Sequence, residues 1–167
     1  MNWQDVLRLT KNNLTPPRRI EKSNLEWMQL LTMEQYRVTR QHGTERPFSG
    51  EYCEIFSAGV YNCVCCGTKL FDSTGKFASG SGWPAFSEPV REDVIMYRND
   101  ISYGQQRIEV MCNVCSAHLG HVFPDGPAPT GLRYCINSVS LEKVEEDVKQ
   151  EADVSEDKKE SISTNHL

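Results

Sequence analysis

Two Cys-x-x-Cys pairs, Cys63/Cys66 and Cys112/Cys115, frame the middle of this chain, and a further cysteine, Cys135, stands alone in the apolar run Leu132-Arg133-Tyr134-Cys135-Ile136-Asn137. A Cys-x-x-Cys turn presents two sulfurs on one side of a tight knuckle, and two knuckles complete a tetrahedron around one zinc ion with Zn–S of ~2.3 Å. Any fold that uses both pairs must therefore bring residues 63–66 against residues 112–115, leaving Cys135 free for chemistry. Within Cys63-Val64-Cys65-Cys66-Gly67 only Cys63 with Cys66 has the required spacing, so Cys65 is expected to point away. One structural Zn2+ outweighs a redox dithiol or quiet buried cysteines, because two pairs occur in one small domain. Haem attachment is excluded, since Gly67 and Ser116 stand where it needs histidine.

At 167 residues the chain suits one domain with tails. Nine acidic and four basic residues between Glu142 and Leu167 account for the whole net charge of −5, and residues 1–141 are formally neutral. A neutral body lacks the basic footprint that a phosphate backbone selects, so no nucleic-acid partner is expected. No apolar run reaches the ~18 residues of a membrane span, and Met1-Asn2-Trp3-Gln4-Asp5 is not a secretory leader. The expectation is a cytoplasmic protein with reduced thiols and no membrane partner, present as a monomer.

Residues 1–20, ending in Pro16-Pro17-Arg18-Arg19, read as an N-terminal arm or poorly ordered lead-in. The domain then runs over 21–141, with a helical lead-in over 21–43 and a β core over 44–141. Ser23-Asn24-Leu25-Glu26 has the spacing of a capping box for a helix through Leu31, and Thr32 caps a second that ends before Gly43. Arg107-Ile108-Glu109-Val110-Met111-Cys112 alternates as a strand; Gly59 to Cys63 and Val94 to Tyr97 are weaker candidates. Gly80-Ser81-Gly82 and Pro124 through Gly131 are loops by their turn residues. Residues 142–167 read as an acidic tail, disordered or a frayed helix.

In an extended strand Arg133, Cys135 and Asn137 share one face, while Tyr134 and Ile136 take the other. A guanidinium beside a thiol lowers its pKa, which suits Cys135 to nucleophilic work. An inert core cysteine fits the strand pattern equally well. His118 and His121 shift that balance, because two imidazoles close behind the second knuckle offer general-acid groups near neutral pH. His42, by a helix end, is expected to be solvated. Trp83, on the Ser-Gly-Ser-Gly loop before Pro84, can wall a small apolar subsite or anchor the core.

Cys63-x-x-Cys66-Gly67, Gly82-Trp83-Pro84-Ala85-Phe86, Arg107-Ile108-Glu109-Val110, Cys112-x-x-Cys115, Ala117-His118-Leu119-Gly120-His121-Val122-Phe123, Asp125-Gly126-Pro127 and Arg133-Tyr134-Cys135-Ile136-Asn137-Ser138 occur in an order that resembles the B-type peptide-methionine (R)-S-oxide reductases, over Ile20 to Leu141. The resemblance implies a mainly β fold of two antiparallel sheets around one core, with the zinc far from catalysis. It implies reduction of methionine (R)-sulfoxide in oxidised peptides and proteins, with thioredoxin as reductant. It also implies that Cys135 is the nucleophile, passing through a sulfenic acid, with Trp83, His118, His121, Arg133 and Asn137 around it. Which imidazole gives the proton is open. Many members carry a resolving cysteine just before Gly-Trp-Pro, where this chain has Ser81, so the sulfenic acid must meet an external thiol, Cys53 or Cys65.

A zinc-ribbon binding module accounts for the four paired cysteines but leaves Cys135, the two histidines and Trp83 unused. Zinc-dependent deamination lacks its His-x-Glu.

Overall fold

A computed structural model describes residues 1–145. Three short helices precede nine strands: α1 Trp3–Lys11, α2 Asn24–Leu30, α3 Met33–Arg40, then β1 Gly59–Cys63, β2 Lys69–Asp72, β3 Lys76–Phe77, β4 Ala85–Phe86, β5 Ile95–Asp100, β6 Arg107–Cys112, β7 His118–Phe123, β8 Arg133–Ile136 and β9 Leu141–Glu145. They form two antiparallel sheets, β2-β1-β9 and β3-β4-β8-β7-β6-β5. The expected mainly β class with two sheets is what the chain adopts.

Local chemistry explains the helices. Asn2 with Asp5, Ser23 with Glu26 and Thr32 with Gln35 each form a reciprocal capping box, satisfying backbone N–H groups that the first turn leaves open. Residues 1–20 are accordingly not a poorly ordered lead-in. Helix α1 sinks Val6 and Leu9 into the core, and the Met1 sulfur lies 3.9 and 3.4 Å from the Tyr97 and Tyr134 hydroxyls, one of which donates to it. Those two hydroxyls also pair with each other at 2.6 Å. Nothing local to the stretch names the partners that hold it, since Tyr97 and Tyr134 stand on β5 and β8.

Between the sheets, Phe71 stacks on Phe86 with centroids 4.5 Å apart, and Tyr61 meets Phe86 edge-on. The boundary placed after Leu141 moves, because β9 pairs with β1 from Leu141↔Cys63 to Glu145↔Gly59. The rest of the expected tail, 146–167, lies outside the described residues. Helix α3 ends at the Gln41 cap, and the left-handed residue beyond it is His42 (φ 55°) rather than Gly43.

Candidate active site

The two knuckles are built alike. Gly67 donates to the Cys63 carbonyl and Ser116 to the Cys112 carbonyl, each at 2.8 Å, with Gly67 (φ 77°) and Ser116 (φ 67°) both left-handed. Cys63–Cys115 and Cys66–Cys112 sulfur separations are both 3.7 Å, and all four sulfurs lie within 4.8 Å of one another. A tetrahedron with Zn–S of ~2.3 Å has edges of about 3.8 Å, which the two 3.7 Å separations match, so the four cysteines fit a zinc ion. The surroundings suit thiolates: Thr68 Oγ1 lies 3.1 Å from Cys66 Sγ, and the Arg40 guanidinium approaches Cys115 Sγ while donating to its carbonyl at 2.9 Å. Arg40 is held there by stacking on Trp27, at 4.5 Å, which ties α2 and α3 to the cluster. Cys65 stands outside the four.

Away from that cluster, the large sheet lines up one residue per strand. Cys135 on β8 faces His121 on β7, His121 faces Glu109 on β6, and Glu109 faces Arg98 on β5. His118 would fall on the opposite side of a regular strand, since it lies an odd three positions before His121. A bulge shifts the β6–β7 register between Val110 and Met111, pairing His118 with Met111 and returning its ring to this face. Its ring centre is 5.7 Å from that of His121. The strands must come very close here: a Cβ on Gly120 would lie 1.9 Å from the Cys135 carbonyl oxygen, so only glycine fits.

A cavity of about 250 Å³ opens over Cys135, with Trp83, His121, Arg133 and Asn137 on its walls. Ser81, Thr44, Arg107 and Phe123 complete it. None of the four clustered cysteines lines it, and neither does His118, so the expected group assembles with that one imidazole set back. A larger depression of about 540 Å³ beside α2 and α3 is lined by Met28, Met33 and Tyr36 among others and has no thiol or imidazole.

Each wall residue is fixed from behind. The Trp83 indole donates to the Glu45 carbonyl at 3.1 Å, and the Glu45 N–H donates to Asn137 Oδ1 at 3.0 Å. Asn137 Nδ2 donates to the Leu119 carbonyl. Arg133 forks onto Asp125 at 2.9 and 3.2 Å, with its guanidinium 4.4 Å over the Phe123 ring. His121 Nε2 bonds Asp100 at 2.7 Å.

Burial pushes the Cys135 thiol above its ordinary value, and the Arg133 charge and the Ser81 hydroxyl only partly offset it. The expected net lowering by Arg133 is thus reversed, because desolvation of the thiolate outweighs one guanidinium already shared with Asp125. Burial also lowers the His121 pKa, against the pull of Asp100. For Glu109, burial opposes ionisation, yet hydrogen bonds from His118 and His42 hold the carboxylate far below its usual range. His42 is not a merely solvated histidine: its Nδ1 lies 2.7 Å from Glu109 Oε2.

A family model described as the SelR domain matches residues 31–145. The chain belongs to the B-type peptide-methionine (R)-S-oxide reductases. It is 56% identical over 126 residues to a peptide methionine sulfoxide reductase MsrB of Pseudomonas syringae, covering 75% of this chain and 96% of the relative. To the MsrB of Chromohalobacter salexigens it is 57% identical over 125 residues (74% and 94%), and to that of Hahella chejuensis 55% over 135 residues (80% and 97%). Among this reductase's described residues no helix is long and apolar enough to cross a membrane. Sequence reasoning missed the MsrB-type site's supports, Glu45, Asp100, Glu109 and Arg98. Only the Glu109 alternation on β6 hinted at one of them.

Proposed function

We propose that this protein reduces the R epimer of methionine sulfoxide in peptides and proteins, with Cys135 as nucleophile and His121 as proton donor. The facing of Cys135 and His121 across β8 and β7, inside a cavity walled by Trp83, carries the reading. A methionine sulfoxide side chain entering this cavity would rest its methyl on the indole and offer its sulfur to Cys135. The Cys135 sulfur attacks, and the oxygen, protonated as the S–O bond breaks, ends on Cys135. Methionine sulfur is reduced by two electrons and Cys135 is oxidised to a sulfenic acid. A dithiol of the thioredoxin class then gives up two electrons, becoming a disulfide and releasing water.

Arg133 and Asn137 act on Cys135 and on the bound sulfoxide from the same strand face, and His118 positions His121. One zinc held by Cys63, Cys66, Cys112 and Cys115 serves structure alone, because four thiolates leave no open position. A mechanism needing a reduced Cys135 belongs in a reducing compartment such as the cytoplasm, and the enzyme works as a monomer.

Turnover on separated R and S epimers of a methionine sulfoxide peptide, with thioredoxin or dithiothreitol, tests the reading. Reduction of R alone is expected. Equal rates on both epimers, or reduction of S alone, would sink it.

A further inference from the structure

The geometry points to a second divalent-metal site, formed by His42, Glu109 and His118 and separate from the four-cysteine cluster. Glu109 is 2% exposed, and its two oxygens do different work. Oε1 is gripped by Arg98 through Nε at 2.9 Å and a terminal nitrogen at 2.6 Å. Oε2 receives both imidazoles through Nδ1, His42 at 2.7 Å and His118 at 2.6 Å. One ligand atom from each residue lies within 4.8 Å of the others. Two imidazoles and one carboxylate, converging with a side left open, are the donor set that takes Zn2+, Co2+ or Fe2+.

Ligand distances of ~2.0–2.2 Å place donor atoms about 3.3 Å apart around a tetrahedral ion, so each nitrogen–oxygen separation must widen by about 0.6–0.7 Å. Arg98 keeps the carboxylate aimed while it does so, as groups behind metal ligands commonly do. The entry path is His42, whose side chain is 42% exposed.

The end of α3 sets where His42 points. His42 holds φ at 55°, a conformation a non-glycine residue adopts rarely, although glycine follows at position 43. That turn swings the His42 ring over the sheet, to 5.4 Å from the ring of His118.

Binding takes the lone pair of each Nδ1, and each neutral imidazole keeps its one proton on Nε2. The binding rests on the geometry of His42, Glu109 and His118 alone and not on the reading of Cys135 and His121.

The test titrates Co2+ into the untagged, zinc-loaded full chain. One further equivalent is expected, with visible bands of nitrogen- and oxygen-ligated cobalt and without thiolate charge transfer. In a parallel Zn2+ titration the Nδ1 nitrogen-15 resonances of His42 and His118 should move. His42→Ala should lose the equivalent, and Arg98→Gln should weaken it by about 10-fold or more. No further equivalent, or one that survives His42→Ala, overturns the site. Should His42→Ala not fold, the nitrogen-15 shifts of the unaltered protein decide: still resonances mean no site.

Discussion

The Ser81 hydroxyl oxygen lies 4.0 Å from the Cys135 sulfur. Ser81 is poised by bonds to Ser79 at 2.8 Å and to the Trp83 carbonyl at 3.4 Å, so the loop presents position 81 directly to the thiol. A serine there can touch Cys135 but carries no sulfur with which to resolve the proposed sulfenic acid. After one turnover without reductant, mass spectrometry with a sulfenic-acid trap should find the adduct on Cys135. Ser81→Cys should replace that adduct with a disulfide between the new thiol and Cys135, since the two side chains already approach within bonding reach of a small shift. A Cys53–Cys135 disulfide in the unaltered protein would instead make Cys53 the resolving residue.

Removing a zinc ligand should unfasten the helices as well as the metal, because Arg40 reaches from α3 to Cys115. Cys112→Ser is expected to lose its zinc equivalent. A loss of about 4 kcal/mol, at about 2–4 °C per kcal/mol for a chain of this size, lowers the melting temperature by about 10 °C. Metal analysis and calorimetry on the same sample check both. An unchanged zinc content with unchanged melting refutes the ligand set.

Because burial raises the Cys135 thiol above its ordinary value of 9.0, the thiolate is a minor species in the free enzyme at neutral pH. Alkylation of Cys135 by iodoacetamide, followed by peptide mapping, should therefore rise about tenfold per pH unit from 6 to 8. Arg133→Gln, which removes the main opposing charge, should slow it further at every pH. A plateau beginning near pH 6 would show that Arg133 wins after all.

Acid should weaken the fold in two stages. Burial opposes ionisation of Glu109 and Asp100, but hydrogen bonds from His118 and His42, and from His121 and Ser102, hold both well below their ordinary values of 4.5 and 3.8. A depressed carboxylate adds stability that is complete above its unfolded value and is lost as pH falls below it. His121, depressed from 6.5, acts in the same direction, since the unfolded chain takes up that proton first. Melting temperatures should thus begin to fall below pH 6.5 and drop more steeply below pH 4.5. Glu109→Gln should flatten the steeper stage; an unaltered slope would remove Glu109 as its source.

Asn137 bridges Glu45 and Leu119 while nearly inaccessible to solvent. Asn137→Ala leaves the Glu45 N–H without its partner, which costs about 1–3 kcal/mol. It also releases the segment whose carbonyl holds Trp83. Urea titration should show the loss, and KM for the sulfoxide peptide should rise as the indole wall loosens.

The knuckles, the strand carrying Cys135, the capping box ahead of α2 and the Thr32 cap of α3 were legible in the sequence because each is a local signal: fixed spacing, alternation or a side chain three residues from its backbone partner. Helix α1 and β9 were not, since both are held by distant partners, Tyr97 and Tyr134 for Met1 and β1 for β9. The row from Cys135 to Arg98 was hidden for the same reason. No spacing along the chain states which strand lies beside which. The bulge that turns His118 back to the face of His121 leaves no trace in a pattern of alternating residues, and the lift in the Cys135 pKa depends on how deeply the thiol is covered.

The row of facing residues also governs how this enzyme can be rebuilt from its relatives. Four strands deliver one side chain each, so no contiguous peptide carries the row. A chimaera whose crossover falls inside β5 to β8 inherits the chemistry only if both parents share the same pairing and the same bulge. One residue gained or lost within β7 would turn His121 to the far side of the sheet and bring a side chain to the place where only Gly120 fits. Inheritance at this site therefore acts on whole strands, and recombination is safest at the loops between them.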